Sequence, residues 1–262
     1  MNNKLIYLIK RLLINQVREF NRLIKDESRI YEKEVQYLKS IIKDGSVVCD
    51  IGANRGDYTY HLSKLVGSKG EVHAFEPGKR AFSYLKEIKK IHKLDNVICN
   101  NVALSDKATI TNFIVPLVFS RQGHIQNGEP TKKDYAYRGR KHKITTHTLD
   151  RYVERFHIEK VDFIKCDVEG HESFVIDGSM NTIIRDNPIL LIEISPPHSD
   201  AFGVDRNYVF NKLTDIGYKC YSYDYHLDTL IPSVIEDKNT VGVWSSIDGD
   251  LTTQNYIFIQ HK

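Results

Sequence analysis

Along this chain, short apolar runs rich in β-branched residues alternate with stretches in which apolar side chains return every three or four positions. The run Val47-Val48-Cys49-Asp50-Ile51 gives way to a glycine-bearing turn, beyond which Tyr58, His61, Leu62 and Leu65 recur at helical spacing. This predicts strand, tight loop, helix. Residues 70–76 predict a second strand, with Pro77 opening the next helix, where its missing N–H costs nothing. Residues 97–102, 161–167 and 189–194 predict three more. Of these, 161–167 is a near-continuous apolar run broken only by Lys165, as in strands buried on both faces of a parallel sheet. Residues 108–115 and 143–148 predict additional strands. A helix to Ile216, a strand over 218–223 and a last strand over 256–259 close the pattern.

Ahead of the first strand, residues 4–24 carry Leu5, Leu8, Ile9, Leu12, Leu13, Val17, Phe20 and Ile24 at helical spacing, with Lys4, Lys10, Arg11, Arg18 and Arg22 between them. Charges interrupt this amphipathic basic helix too often for it to span a bilayer, and no small-residue cleavage site follows. The favoured seat of its apolar face is the core or a second subunit, giving a homodimer; peripheral contact with an anionic membrane surface is the other reading. Residues 32–42 predict one more helix. The organisation expected is a helical extension over 1–44 and one α/β domain over 45–262.

The net charge of +3 is too mild for a nucleic-acid footprint, so no nucleic-acid partner is expected. The 4 cysteines, Cys49, Cys99, Cys166 and Cys220, lie singly in apolar runs without metal or disulfide spacing. They read as buried thiols in a reducing, cytoplasmic setting.

Chemistry gathers where the predicted strands end. In an open α/β sheet the crevice beyond the carboxyl end of a strand holds ligands, and glycines there admit close backbone approach. From Asp50 the spacing is D-x-G-x-x-x-G, with Gly52 and Gly56 separated by Ala53, Asn54 and Arg55. A dinucleotide fingerprint, G-x-G-x-x-G, seats a pyrophosphate on a helix N-terminus, and its middle glycine is missing here. Asp50 would repel a pyrophosphate but welcome an ammonium or a sulfonium, and S-adenosylmethionine carries both. Glu76, at the end of the second strand, can take both ribose hydroxyls as paired hydrogen bonds, for NAD as well as for S-adenosylmethionine.

The segment D-I-G-A-N-x-G resembles motif I of class I S-adenosylmethionine-dependent methyltransferases, in the Asn54-bearing form of the FkbM-type branch. Further segments match in order: Phe75-Glu76-Pro77, Asn101-Val102-Ala103-Leu104-Ser105-Asp106, Thr148-Leu149-Asp150, Asp162-Phe163-Ile164-Lys165-Cys166-Asp167-Val168-Glu169-Gly170 and Pro188-Ile189-Leu190-Leu191-Ile192-Glu193. The resemblance implies a Rossmann-like class I methyltransferase fold: a seven-stranded, mostly parallel sheet with helices on both faces. The terminal strand's place in it rests on the resemblance alone. It implies S-adenosyl-L-methionine as cofactor, held by Asp50, Gly52, Ala53, Asn54, Gly56, Tyr58, Thr59, Glu76 and Pro77. Asn101, Ala103 and Asp106 would border the adenine, although Asn and Asp are also ordinary turn formers.

The fourth strand delivers Asp167, Glu169 and His171 to the sheet edge, and the fifth delivers Glu193, with His198 just beyond in Ser195-Pro196-Pro197-His198. These are the candidate catalytic residues, because an acceptor hydroxyl needs a base or a metal to remove its proton. Hard carboxylates with one imidazole suit Mg²⁺ or Mn²⁺, and Asp167, Glu193 and His198 are the candidate ligands. In the purely structural reading Asp167 caps the next helix and Glu169 pairs with Lys165 or a backbone N–H. Residues 116–142 are polar and without periodicity; a long loop inside a compact domain is functional or disordered, and this one reads as a substrate lid. Its Arg121, His124, Tyr135, Tyr137, Arg138 and Arg140 suit an anionic, sugar-like acceptor, Arg clamping phosphate and Tyr stacking on a ring.

The expected activity is O-methylation of a sugar hydroxyl, nucleotide-linked or in a glycan destined for a surface polysaccharide. Two other classes stay open. S-P-P-aromatic after the fourth strand marks amino-group methyltransferases acting on nucleic-acid bases, but here the segment follows the fifth predicted strand and ends in His. A dinucleotide-dependent oxidoreductase would use Glu76 on the ribose but lacks the third glycine.

Overall fold

The computed structural model describes residues 37–116, 123–126, 139–194, 205, 207–224, 227, 229–233 and 254–260. The chain divides into two units, 1–41 and 42–262. In the first, residues 37–41 are helical; the amphipathic segment 4–24 lies outside the described residues. No described helix is long and apolar enough to cross a membrane.

In the second unit, β1 (Val47–Ile51), α1 (Asp57–Val66), β2 (Glu71–Phe75), α2 (Lys79–His92) and β3 (Val97–Asn100) alternate as the apolar runs and helical periods require. β4 (Ala103–Leu104), β5 (Thr109–Pro116), β6 (His124–Gln126) and β7 (Gly139–His147) follow, then α3 (Leu149–Arg155), β8 (Phe163–Cys166), α4 (Glu172–Asp177), α5 (Met180–Asp186) and β9 (Ile189–Ile194). The remainder is α6 (Tyr208–Asp215), β10 (Tyr218–Asp224), β11 (Thr229–Pro232) and β12 (Gln254–Gln260).

The larger sheet has the order β11-β10-β12-β9-β8-β1-β2-β3. Neighbours from β9 to β3 run parallel, and β12 is antiparallel to both β9 and β10. The chain leaves β1 in one direction toward β2 and β3 and returns on its other side through β8 and β9. Right-handed crossovers then place α1 and α2 on one face and the later helices on the other. The strand order reverses between β1 and β8, which is where ligands bind in such sheets. The core lies on these strands: Ile51, Phe75, Ile164, Cys166, Leu190, Ile192 and Phe258 form one buried cluster, in which a large side chain contributes roughly 1.5–3 kcal/mol. All four cysteines are free, and burial pushes their thiol pKa values up.

Four details differ from the sequence reading. The sheet has eight strands rather than seven, because β11 hydrogen-bonds along the outer edge of β10. β5 and β7 join β4 and β6 in a separate four-stranded sheet. The segment 116–142 is not wholly a loop, since 124–126 pair with β5 and 139–142 begin β7. Pro77 precedes α2 rather than opening it; Gly78 is the N-cap.

The T-L-D segment has a local cause. The Thr148 side chain accepts the Arg151 N–H and caps α3. Asp150 accepts the backbone N–H groups of Asn181 and Thr182 and the Thr182 hydroxyl, tying α3 to α5.

Candidate active site

The loop after β1 is built by its glycines. Gly52 and Gly56 have φ of 81° and 97°, and Asn54 has 50°, so the backbone turns through left-handed conformations that Gly and Asn tolerate best. The N–H groups of Gly52 and Ala53 both donate to the Phe75 carbonyl at 3.0 Å. A Cβ on Gly52 would stand 1.7 Å from the Asp167 carbonyl oxygen. The turn therefore threads between the ends of β2 and β8, and only a bare backbone fits.

This turn borders a cavity of about 350 Å³, within the size range of small-molecule sites. Its apolar wall includes Ile51, Phe75 and Val102, and the second sheet adds Leu104, Phe113, Val115 and Ile125. Glu76 lines the cavity and is only 6% exposed. Its Oε2 accepts the Asn54 N–H at 2.9 Å and its Oε1 the Gly78 N–H at 2.7 Å. Burial pushes its pKa up to about 7, against those two hydrogen bonds. Each carboxylate oxygen keeps a lone pair for a further donor, so the acid is oriented without being saturated.

The end of β8 supplies the opposite wall through Asp167, Val168, Glu169 and His171. Lys165, 4% exposed, stands behind it. The registry Asp50↔Lys165 places the two on one face of neighbouring strands. The Lys165 ammonium lies 3.9 Å from Asp50, 3.0 Å from Asp167 and 4.4 Å from the centre of the Tyr58 ring. Burial works against its charge, but the carboxylates of Asp167 and Asp50 hold its pKa up. Glu193, on β9, is hydrogen-bonded to Asp167; burial first, and then the Asp167 charge, pushes its pKa well up.

His171 has a different character. Its Nε2 lies 2.9 Å from the Ser105 hydroxyl, its ring stacks on Phe174, and burial lowers its pKa to about 4. It is a neutral imidazole that ties β8 to the turn after β4. Glu172 is buried and accepts the N–H groups of Val168 and Gly170 at 3.2 and 3.0 Å. These bonds hold the left-handed turn at Glu169 and Gly170, with φ of 57° and 101°.

Of the predicted cofactor residues, Gly52, Asn54, Glu76, Pro77 and Ala103 line the cavity. Asp50 does not: it is fully buried, accepts the Thr59 hydroxyl at 2.5 Å and faces Lys165, so it organises the loop from behind. Ala53, Gly56, Tyr58 and Thr59 are likewise not among the residues that line the cavity. Asn101 donates to the carbonyls of Glu76 and Pro77, and Asp106 accepts from Ser105; both brace the wall without lining it. Asp167, Glu169 and His171 come together at the cavity, and Glu193 joins Asp167 from β9. Of the substrate candidates, Arg140 lines the cavity and His124 is buried in β6. Arg121, Tyr135, Tyr137, Arg138 and His198 lie outside the described residues.

The metal reading is not supported. Among the described residues no group of three His, Cys, Asp or Glu side chains is placed to hold an ion. The charge a metal would have supplied beside Asp167 comes from the Lys165 ammonium. Sequence reasoning also missed Arg55, Lys79, Arg80, Tyr84 and His142 in the wall, and Glu172 beneath it. Lys165 alone left a sign, as the break in an apolar run.

A reversing parallel sheet with an antiparallel β12, a glycine turn after β1 and a buried acid ending β2 define the class: a class I S-adenosylmethionine-dependent methyltransferase. The sequence profile described as the Methyltransferase FkbM domain matches residues 50–220, and the chain belongs to that family. This membership removes the oxidoreductase alternative. The chain is 26% identical over 200 residues to the 2-O-methyltransferase NoeI of Sinorhizobium fredii (strain NBRC 101917 / NGR234), covering 68% of this chain and 77% of that one. Methyltransferase FkbM from Methylobacillus flagellatus KT superposes with a TM-score of 0.49 at 15% identity, over 82% of this chain and 44% of that one, so the chain spans less than half of that protein. A SAM dependent methyltransferase from Aquifex aeolicus gives 0.43 at 18% identity, over 91% and 92%. The Ser195-Pro196-Pro197-His198 segment follows β9, the fifth parallel strand, as counted from the sequence.

Proposed function

We propose that the protein transfers a methyl group to a hydroxyl oxygen of a sugar, either nucleotide-linked or part of a glycan. The observation that carries this reading is Asp167 at the cavity wall, held by Lys165 and backed by Glu193 from β9. A hydroxyl is a weak nucleophile at neutral pH, and a cavity-lining carboxylate backed by a second acid of raised proton affinity, Glu193, can act as the base it needs. The relative named a 2-O-methyltransferase supports oxygen as the acceptor atom.

The residues present fit the cofactor. Gly52 and Asn54 bring the turn after β1 to the cavity, Glu76 offers an oriented carboxylate for a ribose diol, and Ile51, Phe75, Val102 and Leu104 an apolar wall for a flat ring. Asp167 and Glu169 supply negative charge for the ammonium and sulfonium. When bound, S-adenosylmethionine supplies a methyl group on a positively charged sulfur that leaves as a neutral thioether. The protein's own work is to orient the acceptor oxygen, exclude water and receive the hydroxyl proton at an Asp167 oxygen, with Glu193 sharing it. His171 stays neutral and positions the wall through Ser105.

Radiolabelled methyl transfer to a panel of nucleotide sugars and glycans, with the product located by mass spectrometry, tests this. Label on a sugar hydroxyl is expected. Inactivity across the panel by a protein that binds S-adenosylhomocysteine sinks the acceptor class.

A further inference from the structure

The cavity is electrically two-ended. Its acids, Glu76, Asp167 and Glu169, lie at the strand ends, whereas Arg55, Lys79, Arg80 and Arg140 line it from the β1–α1 turn, the first turn of α2 and β7. The Arg55 and Arg80 guanidinium groups lie 5.5 and 5.9 Å from the centre of one ring, Tyr84, and Arg80 Nε donates to the Tyr84 hydroxyl at 3.2 Å. Among the described residues no acidic side chain pairs with Lys79, Arg80 or Arg140. Lys79 and Arg80 also stand at the positive end of the α2 dipole, whose first turn carries no acid. Cations there are disfavoured unless an anion joins them.

S-adenosylmethionine cannot balance these charges. It brings one carboxylate against an ammonium and a sulfonium, and its cations suit the acidic end. Lys79, Arg80 and Arg140, three cations on one cavity with no acidic partner among the described residues, therefore call for a second, multiply charged anion. We infer that Arg55, Lys79, Arg80 and Arg140 form a phosphate subsite, and that the acceptor is a sugar carrying a phosphate or diphosphate group rather than a neutral glycan. This rests on the proposed methyl transfer to a sugar hydroxyl. Guanidinium forks take phosphate oxygens bidentately, and the Tyr84 ring between two of them holds both side chains in place. The anion would fix the sugar's distance from Asp167, which is how a remote charge selects the hydroxyl methylated.

The test is isothermal titration of inorganic pyrophosphate and of UDP into the full chain saturated with S-adenosylhomocysteine, at 50 mM salt. Both should bind, and the double variant Lys79→Gln/Arg80→Gln should bind pyrophosphate at least tenfold more weakly, with S-adenosylhomocysteine affinity within threefold of the parent. Arg140→Gln should weaken pyrophosphate several-fold, and the charge-keeping Lys79→Arg/Arg80→Lys should restore most of the binding, which excludes misfolding as the cause. The inference is overturned if neither anion binds the saturated protein, if the double variant binds pyrophosphate like the parent, or if S-adenosylhomocysteine affinity falls in parallel. A short RNA that binds more tightly than pyrophosphate through the same residues overturns it as well. Pyrophosphate binding without methyl transfer to any sugar would instead leave the subsite standing and remove the proposed reaction.

Discussion

The Lys165 ammonium lies 3.0 Å from a carboxylate oxygen of Asp167. Lysine and aspartate point the same way because they are two residues apart at the end of one strand, and the lysine also reaches Asp50 on the neighbouring strand. One buried cation thus serves the loop after β1 and the wall after β8, the two segments that meet where the strand order reverses.

Replacing Lys165 by Met should be among the costliest single changes in the domain. It strands the fully buried Asp50 without a cation, and loss of one partner from a buried pair costs about 3–5 kcal/mol. The pH dependence follows from the raised lysine pKa. A base whose pKa is higher folded than unfolded gives its full contribution below the unfolded value and loses it only as pH rises through the folded one, so the parent keeps this term throughout the neutral range. In the variant Asp50 gains a proton more readily as pH falls. The deficit should therefore be large at pH 8 and smaller at pH 5, as read by urea denaturation at both.

Asp167→Asn keeps the shape of the side chain and removes its basicity. Turnover should fall by roughly 10²–10⁴, while S-adenosylhomocysteine affinity changes only a few-fold. A variant retaining near-parental turnover would show Asp167 to be structural and move the base elsewhere.

The contact between Asp167 and Glu193 has a kinetic consequence. Burial and the neighbouring charge push the Glu193 pKa well above the carboxylate range, and the pair receives a hydroxyl proton only after its own has left. Activity should fall on the acid side of a kcat/KM profile at a pH well above that of an ordinary carboxylate. Glu193→Gln removes the coupling and leaves Asp167 beside Lys165, so the acid limb should move to lower pH and the maximum rate should drop. An unmoved limb would rule the pair out as its source.

Much of the fold was legible because parallel strands buried on both faces must be apolar: β1, β2, β8 and β9 stand out as runs bounded by acids, glycines or prolines. The missed strands carry no such pattern. β11 is largely exposed along its length, β4 is two residues long, and the start of β7 is polar because Arg140 and His142 face the cavity. In the site, Glu76 and Asp167 could be found because each ends a strand. The position of Asp50 could not, because its orientation depends on the registry with Lys165, 115 residues further on. Of the cationic wall only Arg140 was a candidate from the sequence; Arg55, Lys79 and Arg80 were hidden, since they come from other elements and no sequence spacing links them to it.

Glu76 makes cofactor affinity depend on pH. Burial raises its pKa to about 7, with the Gly78 and Asn54 N–H groups pulling the other way. A ribose diol donates to this carboxylate and so favours its ionised form. Binding of S-adenosylhomocysteine should therefore weaken as pH falls below about 7, with a limiting slope of about tenfold per pH unit, and level off above it. Glu76→Gln loses the charge-assisted part of these bonds, about 1.5–3 kcal/mol, and should bind the ligand roughly ten- to a hundredfold more weakly. It should also flatten the pH dependence, because an amide does not titrate. Glu172, buried nearby and also raised to about 7, touches backbone N–H groups rather than the cavity; it would leave a residual slope in the variant if it contributed. Titration calorimetry of parent and variant between pH 5.5 and 8 separates the two: a slope lost with Glu76 assigns the ribose carboxylate, and a slope that survives unchanged assigns the pH dependence to the turn at Glu169.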